Sequence, residues 1–169
     1  MRVELPGSFV CCIRFQYPSI SDWVFVVNFQ AIEMHPVIKC TDTTTVTRYH
    51  CSPVKIDQFD FTTGCHFGGY LSSLEAALRK RSEGQLFIHR VKITYRKSVM
   101  VDDLCNKQAW DTQCSDMRKA GVSVAVYRNI HEPDFTSSYF VVDPKCVEIT
   151  DVTVIDCDQA EQIITEALY

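Results

Sequence analysis

No C-x-x-C pair occurs in this sequence, although nine cysteines are scattered through it. A structural zinc needs four ligands in closely spaced pairs, and the five histidines do not supply the missing halves. The odd cysteine count also argues against a disulfide framework, so the cysteines are expected to be reduced, packing as small hydrophobes. No stretch approaches the roughly 18 uninterrupted apolar residues that a membrane span requires. The apolar run from Phe9 to Ile13 is too short and too β-branched for a secretory signal, and cytoplasmic residence is expected. A G-x-G-x-x-G turn after a strand is missing too, which excludes the usual Rossmann dinucleotide site. Positive charge is scarce. A formal net charge of −4 disfavours broad binding to nucleic acid, which depends on cations neutralising phosphates. Arg79-Lys80-Arg81 reads as a solvated helix end, and Arg90, Lys92, Arg96 and Lys97 read as a solvated strand face.

What remains is the composition of a globular domain, 46% hydrophobic and 22% charged. A chain of 169 residues suffices for one domain that buries about 70% of its unfolded surface. Two β-rich runs, 9–13 and 23–29, flank the turn-forming segment 18–22 and predict a hairpin or neighbouring strands. The polar run Thr41-Asp42-Thr43-Thr44-Thr45 reads as a loop. Ser72 and Glu75 have capping-box spacing, with Leu74, Ala77 and Leu78 on one face, and predict a helix over 73–82. Period-two alternation of Phe87, Val91, Ile93 and Tyr95 predicts a half-buried strand over 86–95. Asp102 or Asp103 can cap a second helix that buries Trp110, Cys114 and Met117 and stops near Gly121. Short strands are expected over 122–128 and 139–143. A last helix is expected to open with capping-box spacing at Asp158 and Glu161, with Ile163, Ile164, Ala167 and Leu168 on one face. Strands in runs with a few helices imply an α+β fold, a mixed or antiparallel β core with flanking helices.

Three short motifs carry chemistry. Tyr49-His50-Cys51-Ser52 is followed by Phe59-Asp60 and then by Gly64-Cys65-His66-Phe67-Gly68, which leads into a helix. Further on come Phe87-Ile88-His89-Arg90-Val91, the acidic and Trp-containing segment from Asp102 to Trp110, and Tyr127-Arg128-Asn129 with Glu132. Ser138-Tyr139-Phe140-Val141-Val142-Asp143-Pro144 follows. This ordered set resembles the NAD-binding core of ADP-ribosyltransferases, particularly the small bacterial and phage-encoded members of the diphtheria-toxin and poly-ADP-ribose polymerase class. The likeness runs from residue 49 to 149 within a single domain of 1–169, with 1–48 as a β-rich N-terminal extension.

The resemblance implies an NAD-dependent mono-ADP-ribosyltransferase, of the kind that phage and effector proteins direct at host machinery in the host cytoplasm. NAD would be the co-substrate and a macromolecule, a protein first, the target; no metal or membrane is implied. Breaking the nicotinamide–ribose bond leaves an oxocarbenium-like sugar that needs nearby negative charge or oriented dipoles. By analogy His50 would hydrogen-bond a ribose hydroxyl, the Cys51 backbone would hold the nicotinamide amide, and Ser52 would add a hydroxyl contact. Tyr49, Phe67 and Tyr70 would pack on the nicotinamide ring, with His66 and Gly68 completing the NAD-binding set. His50 and Glu132 are the expected catalytic residues, with Asp134 the competing carboxylate in the same loop. The sequence departs from the family in two places: Cys51 stands where glycine is frequent, and Ser138 stands where polymerase-type relatives carry glutamate. Those departures motivate an alternative, a catalytically inactive module of the same fold that binds NAD or a protein partner. A thiol hydrolase using Cys51 or Cys65 beside His50 or His66 is a further reading.

Overall fold

Residues 38–80, 83–129 and 136–168 are described in a computed structural model of the protein. The strands expected at 9–13 and 23–29 lie outside the described residues, as do Glu132, Pro133 and Asp134. In chain order the elements are β1 (Ile38–Ser52), β2 (Cys65–Phe67), α1 (Tyr70–Leu78), β3 (Gln85–Val101), α2 (Lys107–Lys119), β4 (Val124–Arg128), β5 (Ser137–Val141), β6 (Val147–Asp156) and α3 (Cys157–Leu168); a single 3-10 turn, Pro144–Cys146, precedes β6. Over the described residues the architecture is α+β: one mostly antiparallel six-stranded sheet and three helices.

β3 organises the sheet. One edge pairs antiparallel with β1 along nearly its whole length. The other is divided, antiparallel to β6 from Gln85 to Ile93 and parallel to β4 from Ser98 to Val101. β4 continues to β5, and β5 to β2. Gly68, just past β2, then exchanges two backbone hydrogen bonds of 3.0 Å with Tyr49 of β1. The path β1-β3-β4-β5-β2 therefore returns to β1, so the sheet curls round a filled interior.

Period-two alternation decides which side chains fill it. Val91, Ile93 and Tyr95 of β3 meet Val124 and Val126 of β4, Tyr139 and Val141 of β5, and Phe67 of β2. Phe59 and Phe61, from the loop between β1 and β2, plug the same cluster. Each such side chain contributes about 1.5–3 kcal/mol when taken from water into a packed core. On the outer face, α2 sets Trp110, Cys114 and Met117 against Ala125, Tyr127 and Phe140. α1 and α3 cover Leu86 and Ile88 at the start of β3.

Several sequence expectations shift. Thr41 to Thr45 belong to β1 rather than to a loop, because β-branched threonines suit a pleated strand; the extra residues appear as a bulge between Cys40 and Thr44. β1 runs unbroken through residues 48 and 49, and β6 through 149 and 150, so the described sheet reaches beyond 49–149 at both ends. The first helix begins at Tyr70, three residues before the expected start, with Gly69 as N-cap. Ser72 and Ser73 are buried within it and donate back to the carbonyls of Gly69 and Tyr70 at 3.1 and 2.8 Å, so Ser72 is no cap. The cap of α2 is Asn106, which accepts from the Ala109 N–H at 2.8 Å, while Asp103 accepts from Cys105. At α3 the capping box lies two residues earlier than expected. Asp156 accepts from the Gln159 N–H at 2.7 Å and the Gln159 side chain accepts from the Asp156 N–H at 3.1 Å. The buried face of α3 is led by Cys157 and Ala160, and Ala167 is exposed.

No two described cysteines are joined by a disulfide. No helix among the described residues is long and apolar enough to cross a membrane.

Gly64 makes the turn into β2 with φ of +79°. A Cβ there would enter the ring of the fully buried Phe140, inside contact distance. Gly64→Ala is expected to combine left-handed strain with overpacking and to cost roughly 2–5 kcal/mol. Thermal melting checks this, at roughly 2–4 °C per kcal/mol for a chain of this size; an unchanged melting temperature would show that the β2 turn adapts freely.

Candidate functional site

The first and third of the three short motifs meet across the closure of the sheet. β1 ends in Tyr49-His50-Cys51-Ser52, and β2 with Gly68 lies alongside, held by the paired Tyr49–Gly68 bonds. The His50 ring then bonds the backbone of the third motif, its Nδ1 lying 3.1 Å from the His66 carbonyl oxygen. That oxygen only accepts, so Nδ1 carries the proton and donates, and Nε2 of the neutral ring keeps its lone pair.

Strand parity divides the expected NAD-binding residues among three environments. His50 and Ser52 turn to the interior, where the His50 ring meets Phe59 edge-on at 5.2 Å and Phe67 at 6.0 Å. Ser52 is buried and donates to the Val54 carbonyl. Tyr49 and Cys51 turn to the other face and join Tyr70 beside Leu74, Ala77 and Leu86, with Tyr49 and Tyr70 edge to face at 5.3 Å. His66 faces away from Phe67, its neighbour in β2. Its ring lies 4.7 Å from both Trp110 and Phe140, and its Nδ1 is 2.9 Å from the Tyr127 hydroxyl. The His66 and His50 side chains therefore do not converge on one ligand face, although the backbone of one serves the other.

His89, which sequence reading did not single out as a site residue, is fully buried and sits directly across the ladder from His50. The Ile56 N–H donates to its Nε2 at 2.8 Å. Nε2 is therefore bare, and the proton on Nδ1 goes to the His50 carbonyl at 3.2 Å. One neutral ring thus ties the strand carrying His50 to the loop carrying Phe59. No sequence signal marks this role, because it depends on the β1–β3 register.

Burial governs the electrostatics. It lowers the His50 pKa, against the bond to the His66 carbonyl, with His89 and Lys80 adding to the lowering. The His89 pKa falls for the same first reason, opposed by its bond to the His50 carbonyl. Burial among aromatics takes His66 down to about 4 even though part of the residue reaches solvent. The three imidazoles are neutral at neutral pH. Burial also pushes the Cys51 and Cys65 thiols up to about 11, and the Cys65 thiol donates to the Asp60 carbonyl at 3.1 Å. A raised pKa disfavours the thiolate at both positions, which weighs against a thiol hydrolase.

The loop expected to supply Glu132 lies outside the described residues, but its flanks are placed. Arg128 at the end of β4 pairs with Ser137 at the start of β5. Arg48, two residues before His50, donates from Nε to the Ser137 carbonyl at 3.1 Å and stacks its guanidinium over Tyr139, 4.7 Å from the ring centre. Ser138 is buried. Among the described residues no group of three His, Cys, Asp or Glu side chains could hold a metal ion.

All three histidine pKa values are depressed on folding, so below about 6.5 the unfolded chain binds protons that the folded chain refuses. The associated stability is fully present above that pH and is lost as pH falls towards 4. Melting temperature should therefore drop between pH 7 and pH 4.5. His66→Phe should flatten that slope while lowering stability at pH 7 through loss of the Tyr127 bond. A slope equal to that of the unmodified protein would show that His66 titrates normally.

No known family model matches the chain, and no curated protein matches it in sequence.

Proposed function

We propose that the protein is an NAD-dependent mono-ADP-ribosyltransferase with an ADP-ribosyltransferase-like fold, acting in the cytoplasm on a macromolecular target, most simply a protein. The observation that carries this reading is the junction of Tyr49-His50-x-Ser52 with His66-Phe67-Gly68 through the Tyr49–Gly68 and His50–His66 hydrogen bonds. Segments that resemble the NAD-binding half of the family are adjacent in space, and neutral His50 offers Nε2 as an acceptor for a ribose hydroxyl.

Transfer breaks the C–N bond between the ribose anomeric carbon and nicotinamide, whose nitrogen keeps the bonding pair. The acceptor atom then bonds that carbon and gives up its proton. Charge develops only as the bond stretches, so a carboxylate beside the sugar acts on the transition state rather than on bound NAD. Glu132 is proposed for that place, since its loop begins and ends on the β4–β5 pair that Arg48 fastens to β1. Burial of Ser138, where polymerase-type relatives have glutamate, favours the second reading of an NAD- or protein-binding module without transfer.

Incubation with labelled NAD and a cell lysate separates the two: label on a macromolecule supports transfer, and NAD binding without label supports the module. His50→Ala should weaken NAD binding by about 5- to 150-fold, the worth of one buried ribose contact, with the fold retained. An unchanged dissociation constant in calorimetric titration would remove His50 from the site. Glu132→Gln should leave NAD affinity nearly intact and reduce transfer by about 10²- to 10³-fold. Asp134→Asn is the comparison, and loss of transfer there with Glu132→Gln unaffected would reverse the assignment.

A further inference from the structure

At the far end of β1 and β3 from His50, three irregularities coincide. β6 leaves β3 after Ile93 and β4 joins only at Ser98, so residues 94–97 have no strand partner on that edge among the described residues. On the opposite edge β1 bulges between Cys40 and Thr44. The chain also turns from α2 into β4 through Gly121, where the space around the α-carbon is open. Between them lies a groove of about 470 Å³, within the roughly 300–1,000 Å³ of small-molecule sites.

The groove's lining has a definite chemistry. Arg96 and Lys97 contribute two cations, and Thr43, Thr94 and Ser123 contribute hydroxyls. Arg96 is held across the groove by donation from Nε to the Thr43 hydroxyl at 3.3 Å. The buried Tyr95 and Cys146 contribute apolar surface, and burial raises the Cys146 pKa, which keeps the thiol neutral. Among the described residues that line it, none is acidic. Asp143, whose charge reaches Cys146, has its carboxylate turned onto the Lys145 N–H at 3.0 Å.

We infer that this groove is a second ligand site, independent of the proposed NAD site, for a small phosphate monoester with an apolar body. The phosphate would lie against Arg96 and Lys97, with hydroxyl and backbone donors satisfying its oxygens, and the body would rest on Tyr95 and Cys146. A dianion needs two cations and several donors within a short span, and the groove supplies both in a protein of net charge −4.

Titration of the full-length, ¹⁵N-labelled protein with phenyl phosphate tests the inference. Saturable amide shifts at Gly121 and Ser123 are expected, with inorganic phosphate competing. The exposed pair Arg96→Gln and Lys97→Gln together should weaken binding at least about ten-fold, and His50→Ala should leave it unchanged. A single-stranded oligonucleotide without terminal phosphate is the other source of phosphate oxygens, and it should not shift these amides. No saturable shift, equal affinity in the double variant, shifts confined to His50 and Cys51, or tighter binding of the oligonucleotide would each overturn the proposal.

Discussion

Strand β3 has two hydrogen-bonding edges and three partners, and the division of one edge between β6 and β4 decides where the other elements lie. Antiparallel pairing with β6 over the first half keeps that half flanked by strands on both edges, so its outer face needs covering, and α1 and α3 cover it. Parallel pairing with β4 over the second half requires a crossover, and α2 is that crossover, packed on the outer face of β4 and β5. The gap between the two partners cannot be filled by either. A structured core and an open groove therefore follow from one hydrogen-bonding constraint.

The same strand shows what was legible in the sequence. Val91, Ile93 and Tyr95 stand out as a period-two face because the middle of β3, where Arg90 and Lys92 are exposed between them, is buried on one side only. Leu86 and Ile88 have the opposite parity, since helices bury the other face there, and a single alternating template cannot fit both stretches. Trp110, Cys114 and Met117 were readable because helical period and burial agree on α2. The caps were not: Asp156, Asn106 and Gly69 each win through a local geometry to which several neighbouring polar residues are equally suited by type. β6 escaped recognition although Val147, Ile149 and Val152 alternate with polar residues, because its bulge opposite Arg90 and Val91 breaks the period midway.

At the candidate site, sequence order indicated which segments belong together but not which side chains share a face. Adjacency of Tyr49 and Gly68 is a backbone matter and follows from closure of the sheet. The separation of His66 from Phe67 and of His50 from Cys51 follows from pleating, which sends neighbours to opposite sides. Where pairing is regular, as along Tyr49–Ser52 and Cys65–Phe67, a run of consecutive motif residues is thus shared between two faces. His89 illustrates the converse, a residue 39 positions from His50 in the chain whose ring bonds its carbonyl.

Closure and burial together also fix the kind of chemistry open to the interior face. His50 is clamped from both sides, its Nδ1 proton committed to the His66 carbonyl and its own carbonyl engaged by His89. Protonating His89 would place an N–H on Nε2 against the Ile56 N–H, so the strand-to-loop tie persists only while that ring is neutral. A neutral, oriented His50 is a poor proton source at neutral pH and a good hydrogen-bond acceptor. It suits the positioning of a hydroxyl-rich ligand better than acid catalysis. If the proposed transfer holds, the negative charge it needs would have to come from an element other than this face of β1, to which Arg48 fastens only the backbone of Ser137 at the start of β5.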